Sequence, residues 1–73
     1  MKVTIKTWRC PAFQLEVSEL EMIFEIKIRL QHHTRVPAEE FELVLENVWL
    51  LDSNQKVSDY GVKEGSTLRM LFK

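Results

Sequence analysis

The stretch Val57-Ser58-Asp59-Tyr60-Gly61-Val62-Lys63-Glu64-Gly65-Ser66-Thr67-Leu68-Arg69-Met70-Leu71-Phe72 decides how this chain is read. It holds the only tyrosine and both glycines of the 73 residues. Ser58 and Asp59 favour a turn, because short polar side chains bond nearby backbone amides. Gly61 and Gly65 admit backbone angles that other residues avoid. Beyond them Leu68, Met70 and Phe72 alternate with Thr67, Arg69 and Leu71, the period of a half-buried strand. A turn-rich lead-in followed by such a strand predicts a last strand that completes a sheet.

The same period recurs at the start. Met1, Val3 and Ile5 alternate with Lys2, Thr4 and Lys6, and Phe13, Leu15 and Val17 alternate with Gln14 and Glu16. With a turn over 7–11 these form an antiparallel hairpin. The pattern then changes to a helix within Ser18 to Thr34, with Ile23, Ile26 and Leu30 on one face. Its start has two readings. Ser18 to Glu21 fits a capping box, whereas a start near Met22 lacks a capping side chain. Lys27 lies beside the buried face, where a lysine is costly unless paired. Val36-Pro37 ends the helix, since the residue before proline avoids helical angles. Phe41, Leu43 and Leu45 mark a third strand, Glu46-Asn47 a tight turn with Asn47 taking the positive φ, and Val48 to Leu51 a short fourth strand. The order predicts an α+β fold, a mixed sheet wrapped around one helix, with the first and last strands parallel neighbours. Its core draws on the inward residues already named, with Leu50, Val57, Tyr60 and Val62.

The run Ser58-Asp59-Tyr60, then Val62, then Ser66-Thr67-Leu68, resembles the closing segment of ubiquitin and its relatives. Met1 to Thr7 resembles the opening of that family. So do Leu15-Glu16-Val17, Ile23, Ile26-Lys27, Leu30-Gln31, Val36-Pro37, Leu43, Leu50 and Asp52. The likeness spans the whole chain, with one extra residue near Ser53 to Lys56. It implies a β-grasp fold and one ubiquitin-like domain over 1–73. It also makes Asp52 the expected partner of Lys27. Cys10-Pro11 stands where the family has a glycine late in the first turn, which leaves the geometry there and the placing of Trp8 open.

Composition narrows the function. A chain of 73 residues has room for one modest core. A single cysteine permits no internal disulfide, which fits cytosol or nucleus. Net charge is −1 with both signs interspersed, so no nucleic-acid or membrane-surface patch is expected. No apolar run approaches the ~20 residues of a membrane span. His32 and His33 are adjacent and point about 100° apart on a helix, unlike a helical metal pair. No glycine-rich loop precedes a helix. Glu39, Glu40, Glu42 and Glu46 read as a solvated acidic edge. The chain reads as non-enzymatic, without cofactor or metal, and monomeric.

What remains is apolar residues on outward faces. Val44 and Leu71 alternate out of the core, and Trp8 sits in a turn. The resemblance puts Trp8, Val44 and Leu71 at the Leu, Ile and Val positions of ubiquitin's main binding patch. Arg69 takes the place of a histidine beside it, and Lys6 that of a lysine at its edge. Val48 and Trp49 take the positions of ubiquitin's chain-linking lysine and a glutamine, and extend the patch from Val44. Glu42 replaces an arginine at its margin. An apolar patch rimmed by charge marks a protein contact. Phe24 and Ile28, four apart and off the core stripe, are a second interface, a contact with a neighbouring domain, or a sign of a shifted helix phase. Ubiquitin-type modifiers end in Gly-Gly. This chain has none and stops at Lys73, so a domain of a longer protein is expected. It would dock that protein to ubiquitin receptors, proteasome subunits or chaperone-pathway proteins. The alternatives are a modifier whose tail was removed and a scaffold packing through Phe24 and Ile28. A small-GTPase adaptor is disfavoured by Gln14 and Glu16.

Overall fold

The computed structural model describes residues 1–72. It contains strands β1 (Lys2–Lys6) and β2 (Phe13–Glu16), helix α1 (Ile23–Thr34), and strands β3 (Phe41–Leu45), β4 (Val48–Trp49) and β5 (Thr67–Phe72). Single 3-10 turns occupy Ala38–Glu40 and Val57–Tyr60. The five strands form one sheet in the order β2-β1-β5-β3-β4. β1 and β5 run parallel, with Ile5 opposite Leu68 and Lys6 opposite Arg69. The other pairs are antiparallel. The fold is the expected β-grasp.

Alternation puts Val3, Ile5, Leu43, Leu68 and Met70 on one face of the sheet. There they are buried with Ile23, Ile26 and Leu30 of α1. Val57 and Val62 close the core from the lead-in to β5. Gly61 and Gly65 supply the positive φ expected of them, 83° and 84°. Val36 belongs to the core as well, which its place before Pro37 did not announce.

Four local expectations are corrected. First, Ser18 and Glu21 do pair, the Glu21 carboxylate accepting the Ser18 N–H at 3.2 Å, but they close a turn and not the helix. The helix opens at Ile23 behind Met22, whose side chain makes no capping bond. The Glu25 carboxylate accepts the Met22 N–H at 3.0 Å. The next two amides find distant carbonyls: Ile23 N–H donates to Gln55 O at 3.0 Å and Phe24 N–H to Ser53 O at 3.1 Å. The loop before Val57 thus satisfies orphan amides that a cap would otherwise take.

Second, β4 ends at Trp49, although Leu50 N–H still donates to Leu43 O at 2.8 Å. Third, the turn residue with positive φ is Glu46, at 56°, and not Asn47. Fourth, Lys27 pairs with Glu42 and not Asp52, Nζ to Oε1 at 2.6 Å. β4 covers only Val44 and Leu45, so Glu42 stands on the open edge of β3 and its side chain reaches around to the helix. Lys27 Nζ also lies 5.5 Å from the Phe41 ring centre, a favourable position over its π face. The Asp52 carboxylate turns to its own loop and accepts the Asn54 N–H at 3.0 Å. Glu42 is therefore not part of a solvated acidic edge.

Arg35 closes α1 in the left-handed region, φ 65°, its N–H donating to Gln31 O at 2.8 Å. Glycine takes that conformation without steric penalty. Arg35→Gly is expected to raise stability by about 0.5–1 kcal/mol in chemical denaturation.

The chain's amino group donates to Val17 O at 2.8 Å and pairs with the Glu16 carboxylate at 2.7 Å. Hydrogen bonding to Glu16 holds the ammonium above its ordinary pKa near 8.0, and the same bond holds Glu16 below its ordinary 4.5. The ammonium's contribution is complete below its unfolded value and lost as pH rises through the raised one. The carboxylate's is complete above its unfolded value and lost as pH falls through the lowered one. The melting-temperature difference between the wild type and Glu16→Gln should therefore be level between those ordinary values and shrink at both extremes.

Candidate functional site: the outer face of the sheet

The face of the sheet away from α1 carries Lys2, Thr4 and Lys6 of β1, Thr67, Arg69 and Leu71 of β5, Glu42 and Val44 of β3, and Trp49 of β4. Register aligns four of these across the strands: Lys6 beside Arg69, Arg69 beside Val44, and Val44 beside Trp49. Leu71 lies in the next row, opposite Glu42.

Val44 is placed on the expected face but lacks the expected exposure. It faces outward as alternation requires, and it stands apart from the core under the helix. Yet it is only 1% exposed. Arg69 and Trp49 flank it on the adjoining strands. Arg69 leans toward the β3–β4 turn, its Nη2 donating to Glu46 O at 3.3 Å. Long side chains of this kind cover apolar surface with their stems while keeping the charge in water. Val44 is thus a floor under its neighbours and offers no contact of its own.

The exposed apolar surface lies to either side. Trp8, in the β1–β2 loop, is 73% exposed. Its ring does not hang free: it meets Phe72 at 5.0 Å between centroids, tilted by 54°. A shallow depression of about 240 Å³ brings Trp8 together with Lys6, Arg69 and Leu71. Four residues named from the sequence thus line one depression. Trp49 is exposed on the far side of Val44. Val48 is exposed too, but it pairs with Leu45 and so belongs to the opposite side of the sheet from Trp49. Val48 does not extend the outer patch.

Sequence reasoning missed the other flank of Trp8. A second depression, of about 270 Å³, is bounded by Trp8, Phe72, Val36, Pro37 and charged neighbours. The signal was available in Phe72, the last inward position of a strand with no helix residue left to cover it. Phe24 and Ile28 are indeed off the core stripe, both half-exposed, and line a depression of about 280 Å³ with Ala38 and Ser53. The helix phase was therefore right.

The remaining reactive side chains show no constellation. His33 stacks on Phe13 at 4.0 Å between centroids. Cys10 is a free thiol. Among the described residues no three His, Cys, Asp or Glu side chains come together as a metal site. No helix among them is long and apolar enough to cross a membrane.

A five-stranded mixed sheet, one helix across it and a charged-rimmed apolar surface behind it define a β-grasp domain of the kind that generally mediates protein interactions. Residues 3–73 match the family model described as the ubiquitin family, and the chain belongs to that family. Ubiquitin-like domains are generally non-enzymatic.

The burial of Val44 has a direct consequence for mutagenesis. Val44→Asp replaces a sealed aliphatic side chain with a carboxylate that must be desolvated, and is expected to lower stability by about 2 kcal/mol or more even with Arg69 on the adjoining strand. Trp8→Ala removes an exposed side chain and should change stability by about 0.5 kcal/mol or less. Parallel urea titrations of the two variants measure the contrast.

Proposed function

We propose that this chain is a non-enzymatic interaction domain that docks a longer protein to receptors of the ubiquitin pathway or the proteasome. The observation that carries this is Trp8, exposed at the edge of an apolar depression whose rim holds Lys6 and Arg69. Tryptophan on a surface otherwise rich in charge is the residue most prone to dominate a contact. A receptor element such as a short amphipathic helix would lay its apolar face on Trp8 and Leu71, with acidic residues toward Lys6 and Arg69. Trp49 would meet the far end of a longer element. A patch this small suits micromolar binding, about −8 kcal/mol. The setting for such receptors is the cytosol or nucleus.

Phe24 and Ile28 favour a second reading, a scaffold that packs on a neighbouring domain, because they too are exposed apolar side chains without a partner among the described residues. Titration of the nitrogen-15-labelled chain with a ubiquitin-interacting helix separates the two. Docking predicts amide shifts at Trp8, Arg69 and Leu71, and about tenfold weaker binding for Trp8→Ala. Silence at those amides in the folded wild type, up to millimolar helix, would sink the docking reading for this receptor class.

A further inference from the structure

The two edges of the sheet are finished differently. At β2, Met1 and Val17 exchange both of their backbone bonds, so the backbone of Glu16 points away from β1. Its carbonyl is already taken. Arg29 Nη2 donates to Glu16 O at 2.7 Å, and the same guanidinium is paired with Glu21. The Glu16 side chain adds a carboxylate to that edge. Charge on an edge and cover over its free backbone groups are what keep it from pairing with another chain.

The edge at β4 has neither. Leu50 N–H donates to Leu43 O at 2.8 Å, and Asp52 N–H to Tyr60 Oη at 3.0 Å. Trp49 lies between the bonded pairs and opposite Val44, so its N–H and C=O point away from β3. No strand lies there, since β4 is last in the order of the sheet. Among the described residues neither Trp49 N–H nor Leu51 N–H meets an acceptor. The run Asn47-Val48-Trp49-Leu50-Leu51 holds no charge and no proline. Val48, Trp49 and Leu51 are 50%, 48% and 62% exposed. Open backbone and exposed apolar side chains thus share one short run, which is the surface a further strand needs.

Charge narrows the guest. Glu46 and Asp52 bracket the run, both exposed, and no cation pairs with either carboxylate among the described residues. A second copy of this chain, added antiparallel about Trp49, would set Glu46 of each copy against Asp52 of the other. Like charges directly opposed across strands are destabilising. A guest with lysine or arginine at those places meets complementary charge instead.

We infer that the β4 edge accepts an extended segment of another protein, apolar in its middle and basic at both ends. The backbone groups of Trp49 and the N–H of Leu51 bond to the backbone of that segment. Its side chains alternate between the side of Trp49 and the side of Val48, and its basic ends lie at Glu46 and Asp52. This edge is separate from Trp8, and the inference does not rest on the docking role proposed there.

The test is a phage pool of peptides about seven residues long, selected on the immobilised chain. End positions are drawn from Lys, Glu and Ser, and central positions from Val, Ile, Leu, Thr and Tyr. The enriched peptides should carry Lys at both ends. At saturation they should slow hydrogen exchange at the Trp49 and Leu51 amides about tenfold, because both N–H groups become bonded. Glu46→Lys should weaken them about fivefold. The Glu46 side chain is exposed and unpaired, so that variant should keep the wild-type amide pattern, and Asp52→Asn serves as a second variant. Peptides that bind without slowing exchange at Trp49 and Leu51 would overturn strand addition. Enrichment of Glu or Ser ends, or of peptides seated only at Trp8, would overturn it too, as would a pool that yields no binder. Slowing of the same amides with rising chain concentration and no peptide would replace the guest by a second copy and overturn the inference. None of these outcomes bears on docking at Trp8, which the ubiquitin-interacting helix tests separately.

Discussion

The parallel pairing of β1 with β5 is the constraint on which the rest depends. Thr4, Ile5 and Lys6 lie against Thr67, Leu68 and Arg69, and the seam is continued by Thr4 N–H to Ser66 O at 2.8 Å and Gly65 N–H to Lys2 O at 2.9 Å. Parallel strands need a long crossover, and here α1, β3 and β4 all lie within it. The seam puts Leu68 and Met70 into the core beside Val3 and Ile5. On the opposite face it sets Arg69 beside Lys6, and at the end of β5 it carries Phe72 to Trp8. Core and patch are two faces of the same pairing. The patch has no counterpart in the unfolded chain, because the strands that carry Lys6, Arg69 and Val44 are joined by contacts of high sequence separation.

Lys27 and Glu42 form the second constraint. A buried ion pair is weak evidence for stability, since desolvation offsets much of the attraction, but removing one partner strands a charge and costs about 3–5 kcal/mol. The pair ties the flank of α1 to the open edge of β3. The same flank carries Phe24 and Ile28, so the helix stripe is held at a set height beside Ala38 and Ser53. Arg35 sits at the far end of this flank in a left-handed conformation where glycine would be less strained.

Much of this was legible in the sequence because it is periodic. Alternation located β1, β2, β3 and β5, and spacing located the buried face of α1. Gly61 and Gly65 marked the bends ahead of β5. Periodicity also assigned Val44 to the outer face correctly. It could not show that Val44 is sealed there, because burial depends on which long side chains, here Arg69 and Trp49, stand on the adjoining strands. The same limit explains Lys27. Resemblance pointed to Asp52, whereas the partner is a residue that alternation turned away from the helix and the free edge of β3 let return. The start of α1 was hidden for a related reason. Ser18 and Glu21 make a genuine local capping pair, but the amides of Ile23 and Phe24 are satisfied by carbonyls about thirty residues away. Local capping chemistry cannot register a partner of that kind.

The burial of Val44 also decides how this surface differs in kind from a continuous apolar patch. Its central row reads Lys6, Arg69, Val44, Trp49, with the one aliphatic member sealed. A flat apolar partner centred on that row would meet the Arg69 stem and guanidinium first. Desolvating that charge without a carboxylate opposite would cost more than the small apolar area returns. The apolar area worth burying lies at Trp8 and Leu71 on one side and Trp49 on the other. Recognition here is therefore governed by placement: an apolar anchor at the Trp8 edge, with negative charge where the partner crosses Arg69. The same requirement disfavours wholly apolar ligands, so the charges that rim Trp8 act on specificity more than on affinity.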